Sequence, residues 1–265
     1  MTDILTLEIT DGIAELCLNR PERKNALSEA LFAEIAATGE RLKSEPGLRA
    51  VILSGAGGDF CAGIDLQFLQ AQAGNLEAMR ERLLNPDPGE RANWAQKPCY
   101  VWQELSVPVI AAIEGVCLGG GLQLALAADF RIARADARLS IMEAKWGIIP
   151  DMGITQNLPK LMAADRAKRL MMTAAMFSGE DALGEGLVTE LAEAPLQRAR
   201  AFAQELAGRS PEALAGIKEL VEQAWTLPAG EGLKREAELQ APIIGSPNQF
   251  EAVMANMQKR PPKYR

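Results

Sequence analysis

Leu5, Leu7 and Ile9 alternate with polar neighbours, and beyond Thr10-Asp11-Gly12 the set Ala14, Leu16 and Leu18 does the same. Apolar positions at a spacing of two on both sides of a glycine turn predict an amino-terminal β-hairpin. Leu31, Ile35 and Leu42 then share one helical face, with Ser28 as the N-cap and Pro46-Gly47 near the end. Residues 50–53 and 107–113 are unbroken apolar runs, the pattern of strands covered on both faces. Between them lie the loop SGAGGDFCAGIDL, a helical pattern from about Asp65, and a segment over 70–97 split by Asn85-Pro86-Asp87-Pro88-Gly89. This split segment is expected to be mobile or to shape a substrate site.

Residues 114–130, EGVCLGGGLQLALAADF, place Gly119, Gly120 and Gly121 between an apolar strand and a helix carrying Leu122, Leu124 and Leu126. Residues 130–133 and 139–142 read as further strands, and from Asp165 the chain is mainly helical, over 165–173, 196–208, 211–225, 231–240 and 247–258, with a short strand at 187–191. Strand and helix alternate first and helices come last, which predicts an α/β core with a helical carboxy-terminal region. Glycines at a helix start let a ligand approach the main chain, where the first amides have no intrahelical partner. They suit an oxyanion or anion site, or equally a tight turn that serves packing alone.

The 265 residues are enough for one large domain with a substantial core. A formal charge of −7 without a long basic run argues against general affinity for nucleic acid or an anionic membrane. The complete absence of histidine removes Ser-His-Asp and Cys-His nucleophile systems and most zinc sites. Chemistry must therefore rest on carboxylates, backbone amides, water or lysine. Cys17, Cys61, Cys99 and Cys117 are widely spaced with no CxxC pair, which fits a reduced cytoplasmic protein, with Cys17 and Cys117 expected in the core. The first residues, MTDILTLEIT, do not read as an export signal, and the apolar run after Pro108 is too interrupted for a membrane span.

NRPERKNALS at 19–28, GAGGDFCAGIDL at 55–66, the triple glycine and KWGIIPDMG at 145–153 together closely resemble the crotonase superfamily, the enoyl-CoA hydratase/isomerase family. The resemblance covers nearly the whole chain, and a Rossmann reading fails because no GxGxxG follows the first strand. It implies an α/β fold, a crotonase-like spiral of ββα units over 1–195, followed by a helical trimerisation region over 196–265. It also implies a homotrimer or homohexamer that takes a coenzyme A thioester as substrate, with no prosthetic group and no metal.

By the same resemblance, the amides of Ile64 and Gly120 would receive the thioester oxygen. Lys24, Ala26, Ala62, Asp65 and Leu66 would lie along the coenzyme A moiety, with Lys259 a further candidate for its phosphates. Judged alone, Lys24 is equally an ordinary solvated lysine. Hydratases of the family carry two glutamates where this chain has Gln123 and Glu143. Glutamine orients water but does not exchange protons near neutral pH, so the hydration pair is incomplete. Glu143 is the best acid/base candidate, its alternative being a partnered or exposed strand-end glutamate. Asp151 sits where dienoyl-CoA isomerases supply an aspartate, although those enzymes also have an aspartate in place of Gln123. The other reading of Asp151 is a helix N-cap after Pro150. Asp129 reads as structural, and Trp146 as a core or pocket-lining residue. Isomerisation and hydration of an enoyl-CoA are the leading chemistries, and the rival is a coenzyme A thioester-binding or scaffold protein that has lost its catalysis.

Overall fold

The structure, a computed structural model, describes residues 3–72 and 74–264. Strands β1 (Leu5–Thr10) and β2 (Ile13–Leu18) form the expected hairpin, with Leu7 opposite Leu16. Helix α1 (Glu29–Leu42) begins where the Ser28 hydroxyl accepts a hydrogen bond from Leu31 N at 3.3 Å. Then follow β3 (Ala50–Gly55), α2 (Leu66–Gln72), α3 (Leu76–Leu84), α4 (Lys97–Tyr100), β4 (Val109–Ile113), β5 (Val116–Leu118) and α5 (Gly120–Leu126). Strands β6 (Phe130–Ala133) and β7 (Arg138–Ser140), helices α6 (Ile154–Leu161) and α7 (Ala164–Thr173), β8 (Phe177–Ser178), α8 (Gly179–Gly184) and β9 (Glu190–Leu191) come next. The chain closes with α9 (Pro195–Ala207), α10 (Pro211–Gln223), α11 (Ala229–Gln240) and α12 (Pro247–Gln258).

The main sheet runs β1-β2-β3-β4-β6-β9, parallel beyond the hairpin. Its central strands are unbroken apolar runs because alternate residues enter different cores. Val51, Leu53, Val109, Ala111 and Ile113 join the large core on one face, while Ala50, Ile52, Ile110 and Ala112 point to the other. That second face is covered by α9, whose Ala199 and Ala203 are fully buried and let the helix lie close. A second sheet, β5-β7-β8, is continued by the single parallel bridges Cys61–Cys117 and Leu27–Ile64. A main-sheet strand, a short second-sheet segment and a helix therefore recur as β3, Cys61, α2, then β4, β5, α5, then β6, β7, α6. This is the ββα spiral.

Three expectations are corrected. The strand placed at 139–142 ends at Ser140, because the chain turns into a 3-10 segment, Glu143–Trp146. Cys17 is only half-buried, since the alternation of β2 sends Ala14, Leu16 and Leu18 inward; Cys117 is in the core. Asp151 caps no helix, the N-cap of α6 being Gly153. Among the described residues of 70–97, none lines the pocket built below, and Trp94 instead packs against Phe32 and Phe68 at 5.6 and 6.0 Å between ring centroids. Asp129 is structural: its Oδ2 accepts from Val109 N at 2.7 Å and from Lys218 Nζ at 2.8 Å, tying α10 to the sheet. Ile217, Trp225, Leu233, Phe250 and Met257 of the carboxy-terminal helical region are exposed. Among the described residues no helix is long and apolar enough to cross a membrane.

One half-buried cation fixes the segment that approaches the triple glycine. Arg20 pairs with Asp65 at 2.9 Å and also donates to the carbonyl of Ala26, so it spans the Leu27–Ile64 bridge. Burial alone would raise the Asp65 pKa, but the Arg20 guanidinium and the Gln67 amide outweigh it and hold the carboxyl below its usual range. A depressed carboxyl contributes stability above its unfolded pKa and loses it as pH falls through the folded value. Arg20→Leu is expected to cost about 3 kcal/mol at neutral pH in denaturant unfolding, because it strands a buried carboxylate. The difference from the natural protein should shrink as pH is lowered through the folded pKa of Asp65.

Candidate active site

The Leu27–Ile64 bridge determines which amides remain available. In a parallel bridge, one residue bonds the neighbours of its partner: Leu27 N donates to Gly63 O at 2.8 Å, and Asp65 N donates to Leu27 O at 3.0 Å. Ile64 N takes part in neither bond and donates to no other acceptor among the described residues. Gly120, the first residue of α5, has an amide with no partner in its helix. Gly63 adopts φ +89°, and a methyl group there would meet Leu118 O at 2.7 Å and come within 3.6 Å of Gly120 N. The two loops are therefore adjacent, and the absence of a side chain at 63 allows the approach. Two unengaged amides, one from a bridge and one from a helix start, can hold an oxygen that gains negative charge.

They open into a cavity of about 320 Å³. Ala26, Ala62, Ile64, Asp65 and Leu66 line one side, and Gly120, Gln123, Glu143 and Asp151 line the other. Glu143 is buried, 6% exposed, in the 3-10 turn after β7. A methyl group at Gly119 would sit 3.5 Å from Glu143 Oε1, which sets this carboxyl against the glycine turn. Burial pushes the Glu143 pKa up and the nearby Asp151 charge adds to this, while hydrogen bonds, including that from Gln123, act in the opposite direction. Asp151 is exposed at the pocket mouth, yet the surrounding wall desolvates its carboxyl enough to raise its pKa as well. Two carboxyls poised above their ordinary range, facing one cavity, suit proton transfer.

Gln123 is 1% exposed and engaged at both ends. Its Oε1 accepts from Met152 N at 2.8 Å, and its Nε2 donates to Glu143 Oε1 at 2.5 Å. Trp146 is half-exposed and lines the pocket rather than the core. Asp65 lines the cavity but its oxygens are taken by Arg20 and by Gln67 N. Lys24 does not line the cavity: it has φ +50°, and its ammonium pairs with Asp59 at 3.2 Å. Arg23 lines the cavity in its place and donates to Gln67 Oε1 at 3.3 Å. Lys259 is the exposed C-cap of α12 and is not part of the pocket. Sequence reasoning missed Arg23, which stands beside Lys24 in the same motif, and Met152, whose part is played by its amide and leaves no mark in side-chain type. Among the described residues no group of three or more Cys, Asp or Glu side chains could hold a metal ion.

Residues 8–265 match the family model for enoyl-CoA hydratase/isomerase. The chain is 34% identical to the peroxisomal Delta(3,5)-Delta(2,4)-dienoyl-CoA isomerase of Arabidopsis thaliana, over 100% of this chain and 98% of that one. It is 33% identical to the mitochondrial methylglutaconyl-CoA hydratase of Mus musculus, covering 96% of this chain and 80% of the relative. Among solved structures, the enoyl-CoA hydratase of Bacillus anthracis superposes with a TM-score of 0.89 at 33% identity, over 99% of both chains. The spiral of ββα units, the paired amide loops and these matches lead to one assignment: the chain belongs to the enoyl-CoA hydratase/isomerase family of the crotonase superfamily.

Proposed function

We propose that this enzyme isomerises an enoyl-CoA or dienoyl-CoA, with Glu143 and Asp151 moving the protons and the amides of Ile64 and Gly120 holding the thioester oxygen. The observation that carries this reading is the pair of carboxyls with raised pKa on one cavity, with Gln123 already bonded at both ends. Ionised Glu143 takes a proton from the carbon next to the thioester. The C–H electron pair passes into the conjugated system, and charge gathers on the thioester oxygen, where prepositioned amides are worth about 3–4 kcal/mol each in the transition state. Protonated Asp151 then supplies a proton to a distal carbon, the carbonyl re-forms and the double bond has moved. One proton leaves and one is delivered, and exchange with solvent resets the two carboxyls.

Ala26, Ala62 and Leu66 are proposed to flank the coenzyme A moiety, with Arg23 as its nearest cation and Asp65 as the anchor of the loop. The exposed Ile217, Trp225, Leu233, Phe250 and Met257 support assembly of this chain into a homotrimer or homohexamer through its carboxy-terminal region. Hydration is the second reading, favoured by the hydratase names among the relatives. It would require Gln123 to orient water with the single N–H that its two bonds leave.

The test is turnover of a 3,5-dienoyl-CoA and a short 2-enoyl-CoA, with 2,4-diene formation and loss of conjugation followed separately. Diene formation is expected, and Glu143→Gln should lower kcat by about 10²-fold or more with KM little changed. Hydration that proceeds unchanged in Glu143→Gln would remove that residue from the mechanism. Tight binding without turnover of either thioester would favour the binding-protein reading.

The pH–rate profile carries a second prediction. A base must be ionised, so kcat/KM should rise through the pKa of Glu143, and burial places that limb above the ordinary glutamate value of about 4.3. An acid must be protonated, so the rate should fall again through the raised pKa of Asp151, and Asp151→Asn should abolish this descending limb.

A further inference from the structure

Gln123 stands in the middle of a chain of contacts that joins three parts of the pocket. It lies on α5, the helix whose first amide belongs to Gly120. Its carbonyl end meets the amide of Met152, next to Asp151, and its amino end meets Glu143. An amide N–H of the main chain can only donate, so Met152 obliges the Gln123 oxygen to face it, and the side chain cannot turn over. The NH2 group is thereby committed to Glu143 Oε1. The other carboxyl oxygen, Oε2, is buried and has no hydrogen-bond partner in the protein.

We propose that Gln123 is a positioning residue that clamps the Glu143 carboxyl: its NH2 group, oriented by Met152 N, holds Oε1 as an acceptor and fixes how the carboxyl meets the substrate. The proposal rests on the isomerase reading given above. Protonation of Glu143 weakens its carboxyl as an acceptor, so the bond from Gln123 at 2.5 Å favours the ionised form. A glutamine suits this role better than a carboxylate would, because it carries no titratable proton and cannot compete with Glu143 as a base. The titratable group acting on Glu143 is Asp151, from the segment before α6, while the buried thiol of Cys99 on α4 is itself pushed up by burial and by the charges of Asp151 and Glu143. Helix α7, packed behind the 3-10 turn, presents Asp165, Arg166, Lys168 and Arg169 to solvent.

Two variants separate the donor role from simple packing. Gln123→Leu removes both bonds, while Gln123→Met removes the donor in an unbranched side chain of nearly the same shape and adds no charge. The full-length enzyme is titrated by infrared spectroscopy, using the carboxylic C=O band that disappears in Glu143→Gln, and the same samples are assayed with a 3,5-dienoyl-CoA across pH. Both substitutions are expected to move the midpoint of the Glu143 band upward by about one pH unit or more, since each removes a donor that favours the charged form. The ascending limb of kcat/KM should move with it, and kcat should fall at least about tenfold while KM stays within about twofold.

If Gln123 only packs, Gln123→Leu and Gln123→Met leave the midpoint and the limb where they were, and the proposal falls. Should Gln123→Leu fail to fold, Gln123→Met, whose unbranched side chain fills nearly the same space without an N–H donor, decides the matter. If the natural enzyme turns over no dienoyl-CoA while the variants show the shifted midpoints, the isomerase reading is overturned and the clamp stands.

Discussion

A single pair of residues, Leu27 and Ile64, sets the chemistry of this fold. Their parallel bridge satisfies the backbone on either side of Ile64 and leaves the Ile64 amide itself unengaged, in a loop adjacent to the start of α5. A longer strand at this point would pair that amide with a neighbouring carbonyl; a looser loop would leave it poorly aimed. The short second sheet therefore serves chemistry as well as architecture. Arg20, which binds Asp65 and the Ala26 carbonyl on opposite sides of the bridge, supplies the rigidity that one backbone pair lacks.

Without histidine, the proposed proton transfer relies on two carboxyls whose ordinary pKa lies well below neutrality. The molecule meets this constraint by burial. Glu143 sits beneath the glycine turn and Asp151 at the rim, and desolvation lifts both. Gln123 opposes this effect on Glu143 by favouring its charged form, which keeps the proposed base nearer its ionised state.

Much of this was legible in the chain. The hairpin, α1 with its Ser28 cap, and the two central strands follow from spacing alone, because each has one consistent burial pattern. Helix α6 was not legible: it is short, contains Pro159, and buries Ile154 and Leu158 without a sustained periodicity. Helix α8 is bounded by glycines and rests on a Ser178–Asp181 capping box rather than on an apolar face. The pocket residues were named from motifs, but motifs record side chains. They could not reveal that Lys24 turns to Asp59, that Arg23 faces the cavity, or that Met152 fixes Gln123 through its backbone.

The oxygen-binding donors proposed for this site belong to the main chain, and that has an evolutionary consequence. A substitution at Ile64 changes a side chain without deleting the amide, so the costly half of the active site is nearly invisible to point mutation. Variation can then accumulate at 123, 143 and 151 while enolate stabilisation is inherited intact. A lineage with such a division can pass from one acyl-CoA reaction to another by exchanging a few proton-handling side chains, without a non-functional intermediate fold.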